Sequence, residues 1–181
     1  MTDLLADPEE LAASLGVQST DPKLMWALTA ASRRFRGAVR HPVSLVAGDA
    51  FLLDGNGRES LLLPAAPVLS VSAVTLDGEA LAEGTDFDWS AHGFLRRLDG
   101  VWPERLRCVG GLYDHGYALI PEDIQEVVVD QARALYRIDP GVQTKTVGGQ
   151  SVTFGTQAAI GVTAQWTAAV ERHQLNRGDR P

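Results

Sequence analysis

The chain has 181 residues, 45% hydrophobic and 22% charged, with a net charge of −7. That is enough for one domain with its own core, and too apolar for wholesale disorder. The acidity argues against a protein that grips nucleic acid, because affinity for phosphates needs clustered Lys and Arg. It leaves room for a surface that DNA merely slides past.

Asp7-Pro8-Glu9-Glu10 is a helix start: Asp7 caps, Pro8 suits the first helical position, and Glu10 can complete a capping box. This helix should stop at Gly16. Asp21-Pro22 repeats the signal, and Leu24, Leu28, Ala31 and Phe35 then recur at helical spacing. Arg33, Arg34, Arg36 and Arg40 crowd the end of this second helix. Cations there complement the helix dipole, and they could equally contact an acidic neighbour or DNA. The bias toward arginine, with only Lys23 and Lys145 as lysines, suits bidentate interface contacts and also fits a GC-rich genome.

From His41 the pattern changes to short strands. Ser44 to Leu53 and Glu59 to Leu63 flank the turn-rich Asp54-Gly-Asn-Gly57. Val68 to Leu76 ends at Asp77-Gly78, a type I′ hairpin signal. Asp86 to Trp89 and Phe94 to Leu98 flank a second hairpin turn. Arg105 to Leu112 reads as a strand with Leu106, Cys108 and Leu112 on one face. The lone Cys108 excludes an internal disulfide and reads as a buried small hydrophobe.

Pro121 opens the longest helix, with Ile124, Val127, Val128, Ala132 and Leu135 as its apolar stripe. It should end near Asp139-Pro140-Gly141. Gln143 to Phe154 is extended and polar. Thr163 to Leu175 reads as a final helix with Val162, Trp166, Ala169, Val170 and His173 on one side. The fold class is α+β: a mainly helical core, an inserted small antiparallel β-meander, an extended C-terminal arm and a terminal helix. The expected organisation is one domain over 1–181, with N-terminal helices in 1–40, the β-rich insertion in 41–117, the long helix in 118–140, and the arm and last helix in 141–181.

No catalytic constellation emerges, and no cofactor or metal is implied. His41, His92, His115 and His173 stand at no metal-ligand spacing from one another or from Cys108. His115 sits in a turn-like Asp114-His115-Gly116 setting. Asp86, Asp88 and Asp99 lack the central Gly and distant Glu of a calcium loop. Gly148-Gly149-Gln150-Ser151 has neither a nucleophile elbow nor a phosphate-loop Lys. Trp89, Phe94, Trp102, Tyr113 and Tyr117 read as sheet packing, since few cations interleave them. The N-terminus lacks the basic start and apolar run of a signal peptide, so a soluble protein not secreted by a cleaved signal is expected. Leu61 to Val74 is broken by Pro64 and Pro67 and is too short to span a bilayer, so no membrane is expected.

Several motifs together resemble the head–tail adaptor proteins of long-tailed bacteriophages. They are Leu62-Leu-Pro64 with Pro67 to Gly78, Asp86-Phe-Asp-Trp89, Gly93 to Arg97, Trp102-Pro103 and His115-Gly116-Tyr117, followed by Ile120 to Ile124 and Thr146 to Phe154. Gly110-Gly111 and Asp114 depart from the β-branched and Thr residues expected before His-Gly-Tyr. The resemblance implies a non-enzymatic virion protein made in the host bacterial cytoplasm and placed at the head–tail neck. Such adaptors form a ring, usually of twelve copies, beneath the portal protein and around the genome channel, without sequence-specific DNA binding. They offer a platform to the next connector or tail-completion protein. The segment after the long helix is implied to be a portal-docking arm, here Thr144, Thr146, Val147, Ser151, Val152, Thr153 and Phe154. Arg33, Arg34, Arg36 and Trp166 are candidate ring or partner contacts. Two other readings stay open. One is a non-phage binding or assembly module that uses the meander as a partner surface. The other, more remote, is a small hydrolase using His115 with Asp114 or Ser151.

Overall fold

Acidic caps and prolines set where the first helices begin. The Asp7 Oδ1 accepts the Glu9 N–H at 2.8 Å, Pro8 occupies the first helical position, and α1 (Pro8–Leu15) ends at Gly16. The Asp21 Oδ1 likewise accepts the Leu24 N–H at 2.9 Å and opens α2 (Pro22–Val39). The structure, a computed structural model, describes residues 4–137, 144–147, 150–153 and 163–175. It divides the chain into two compact units.

The first unit joins the two ends of the chain, up to Val39 and from Ile120 to Gln174. It holds α1, α2, α3 (Glu122–Arg137) and α4 (Ala164–His173). α2 packs on α3, and both bury a stripe at helical spacing: Leu24, Leu28, Ala31 and Phe35 on one, Ile124, Val128 and Ala132 on the other. Each large apolar side chain buried this way contributes roughly 1.5–3 kcal/mol. Ser32 is a buried polar residue of α2. Its hydroxyl donates to the Leu28 carbonyl at 2.8 Å and accepts the Leu5 N–H at 3.2 Å, so that hydroxyl is satisfied.

The second unit, from Arg40 to Leu119, is β-rich. β1 (Val46–Leu53), β3 (Val68–Leu76), β4 (Glu79–Leu81) and β7 (Val109–His115) form an antiparallel sheet in the order β1-β7-β3-β4. β2 (Ser60–Leu62), β5 (Phe87–Trp89) and β6 (Phe94–Arg97) form a second sheet in the order β2-β6-β5. The inner faces share one core, built on Phe51, Val74 and Tyr113 from the first sheet and Leu61, Phe87 and Leu95 from the second. Trp102 is fully buried there and donates its indole N–H to the Leu95 carbonyl at 3.2 Å.

Both expected hairpins form. Asp77 and Gly78 take φ of 53° and 88°, the pair of positive values that a type I′ turn between β3 and β4 requires. β5 and β6 pair as the second hairpin. Three expectations change. The chain is mixed α+β, and a mainly helical core is not confirmed, because the strands bury a core of their own. The β-rich region is not a meander: β1 pairs with β7, far along the chain, and the Asp54 to Gly57 connection links strands of different sheets. The strand placed at Arg105 to Leu112 begins only at Val109.

That last shift changes the faces. Val109, Tyr113 and His115 point inward, while Leu112 is 42% and Leu106 77% exposed. Cys108 is buried as expected, but at the end of a loop, where its thiol donates to the Arg105 carbonyl at 3.3 Å.

Candidate functional site

The candidate arm is a hairpin of its own. β8 (Thr144–Val147) pairs antiparallel with β9 (Gln150–Thr153), with Thr144 opposite Thr153, Thr146 opposite Ser151 and Val147 opposite Gln150. The expected extended arm therefore folds back on itself, with Gly148-Gly149 between its strands in the sequence. Phe154 lies outside the described residues. The two strands form a separate sheet and pair with no other described strand. An isolated two-stranded hairpin is marginal in water.

α4 follows the arm and is tied firmly to the helical unit. The Thr163 hydroxyl oxygen caps it by accepting the Trp166 N–H at 3.1 Å. Trp166 is buried, meeting the Phe35 ring edge-on at 5.3 Å and lying 6.0 Å from the Arg34 guanidinium carbon. Two candidate contact residues, Arg34 and Trp166, are thus brought together within the subunit. Arg33 and Arg34 are exposed and Arg36 is half-buried.

At the other end of α4, Asp123 receives both Arg172 at 2.7 Å and His173 at 2.9 Å. Burial alone would raise the Asp123 pKa. The hydrogen bonds and charges of His173 and Arg172 outweigh it and hold the carboxyl below its ordinary 3.8. Sequence reading placed His173 on the packed side of α4 but missed this buckle. Its spacing signal is absent because Asp123 lies 50 residues from His173.

His115 and Asp114 do not come together as the hydrolase reading supposed. His115 is the last residue of β7, fully buried and not in a turn. Its ring packs on Tyr113 at 4.6 Å, and its Nε2 lies 3.0 Å from Asp49 Oδ2. Asp114 points to the opposite face, where it accepts the Gly48 N–H at 2.6 Å and the Ser70 hydroxyl at 2.8 Å. Those two bonds, the backbone one first, lower the Asp114 pKa. Burial first, and then the Asp49 charge, push the Tyr113 phenol up to about 12. Among the described residues no group of three His, Cys, Asp or Glu could hold a metal, and no helix is long and apolar enough to cross a membrane.

A family model matches residues 8–173, nearly the whole chain, and its description is head completion protein. The chain belongs to the head completion protein family. Membership agrees with the resemblance to head–tail adaptors carried by the sequence motifs. No curated protein matches this head completion sequence. Solved structures share its fold. One is a chain in the neck of a native gene transfer agent (GTA) particle computed with C12 symmetry. It is 22% identical, with a TM-score of 0.59, covering 97% of this chain and 93% of that one. Another, in the neck of an empty GTA particle computed with C6 symmetry, is 20% identical, with a TM-score of 0.54 and coverages of 98% and 94%. A third, from the virion of a native GTA particle, is 19% identical, with a TM-score of 0.56 and coverages of 91% and 84%.

Proposed function

We propose that this chain is a structural subunit of the head–tail neck. Copies form a homo-oligomeric ring, twelve in number, beneath the portal protein and around the genome channel, and present a platform to the next connector or tail-completion protein. The subunit is made in the host bacterial cytoplasm and resides in the virion. It performs no catalysis, and DNA passes without sequence-specific contact. The observation that carries this reading is the head completion family match over residues 8–173. The shared fold with chains in necks computed with C12 and C6 symmetry supports a ring.

The β8–β9 hairpin is the portal-docking arm in this reading. Ordering each backbone residue costs roughly 1–2 kcal/mol, and a hairpin without a larger sheet recovers little of it. A partner that adds strands to its edges would recover more. α4, anchored through the buried Trp166 and Ala169, follows the segment, and α3 precedes it. Arg33, Arg34 and Arg36 are proposed neighbour contacts, while Trp166 supports Arg34 from beneath. Purified chain mixed with portal and imaged by electron microscopy tests the reading: added ring density on portal supports it, and unchanged portal particles overturn it.

A further inference from the structure

The outer face of the β1-β7-β3-β4 sheet is short of charge, and the polar side chains on it already have partners. Along β7, Gly110, Leu112 and Asp114 alternate outward from the buried Val109, Tyr113 and His115. Ala50 and Ala73 flank Leu112, and Leu52 and Thr75 flank Gly110. Leu52 is 51% and Leu112 42% exposed. A Cβ at Gly110 would lie 3.1 Å from Thr75 Oγ1 and 3.6 Å from Leu52 Cδ1, so the face is flat between them.

Its hydroxyls turn back into the sheet. Ser72 donates to the Leu112 carbonyl at 3.2 Å, and Thr75 to the Gly110 carbonyl at 3.3 Å. Asp114 is the one outward carboxylate within these strands, and the Gly48 N–H and the Ser70 hydroxyl occupy its two oxygens. Covering the hydroxyls costs little because each already has a partner, and Asp114 is the one charge to be desolvated, keeping its two hydrogen bonds.

Charge points to the occupant. No Lys or Arg lies within these four strands, so phosphates have nothing to bind. Copies of a chain with net charge −7 repel one another, and they approach at least cost through a face where charge is nearly absent. A cyclic ring needs two different surfaces on each copy, and this sheet face suits one of them.

We infer that the outer face of this sheet is a subunit–subunit contact, covered in the assembled particle by a neighbouring copy of the same chain. The inference rests on the ring reading above, and the wild-type arm of its test separates the two. The full chain is weighed by sedimentation and native mass spectrometry across a concentration series, alone and with portal. Leu112→Asp should weaken self-association by about tenfold or more, as expected for a central apolar contact. Its circular dichroism should stay unchanged. Leu106→Asp, at the exposed loop, should assemble as wild type.

If Leu112→Asp unfolds, Ala50→Lys, at an exposed position on an edge strand, carries the same test. A variant that rings at the wild-type concentration overturns the inference. So does one that rings normally but loses the next neck component, because another partner then covers the face. Wild-type chain that stays monomeric even with portal overturns the ring reading itself.

Discussion

Removing the Trp166 ring would leave a hole against Phe35 and strip the aromatic face from Arg34. Trp166→Ala should cost about 3–5 kcal/mol, the usual range for a buried large aromatic, read as a lower urea midpoint. A cost below about 1 kcal/mol with assembly lost would make Trp166 a partner contact first and a packing residue second. Asp123 gives a pH signature. Its folded pKa is depressed below 3.8, so its contribution is present above that value and is lost as pH falls through the folded one. The stability gap between wild type and Asp123→Asn should therefore be full at neutral pH and begin to narrow only below about pH 4. Urea unfolding at pH 7 and at pH 3 checks it, and an equal gap at both would remove Asp123 from the account.

Gly111 decides whether β7 can sit at the centre of its sheet. A Cβ there would fall 2.2 Å from the Ala73 carbonyl oxygen and 2.6 Å from Phe51 Cζ. Gly111→Val should cost about 1–3 kcal/mol or more through overpacking, seen as a lower melting temperature. The same glycines explain why the strand was misplaced in sequence. Gly110-Gly111 carry no side chains, so the alternation that marks a strand's faces fades where β7 begins, and Leu106 and Leu112 share a face with Cys108 in the sequence pattern. A one-residue error of frame exchanges faces. Helix starts and the Asp77-Gly78 turn were legible because their chemistry lies within a few residues. The β1–β7 pairing and the Asp49–His115 contact were not, because their partners lie 66 residues apart in the case of Asp49 and His115. The arm was legible as extended and polar, yet its folding back on itself was not. Thr146→Pro removes a backbone donor from β8. It should shift the melting temperature by no more than about 2 °C, since β8 pairs with β9 alone among the described strands, and should weaken portal binding measured by co-sedimentation. Unchanged binding would move the docking surface elsewhere.

For the whole molecule, the net charge of −7 and the near-neutral sheet face would make opposite contributions to the proposed ring. Like-charged copies repel through water, and salt screens that repulsion over about 10 Å at 0.1 M. Ring formation should therefore strengthen between low and moderate salt. Dissociation on adding salt would show instead that the proposed Arg33, Arg34 and Arg36 contacts outweigh this repulsion in holding the ring. The most direct test of the neck assignment is electron microscopy of purified chain mixed with isolated portal. A ring of this protein seated on the portal and coaxial with its channel is expected. A lone monomer, with portal particles identical to those imaged without it, would contradict the account.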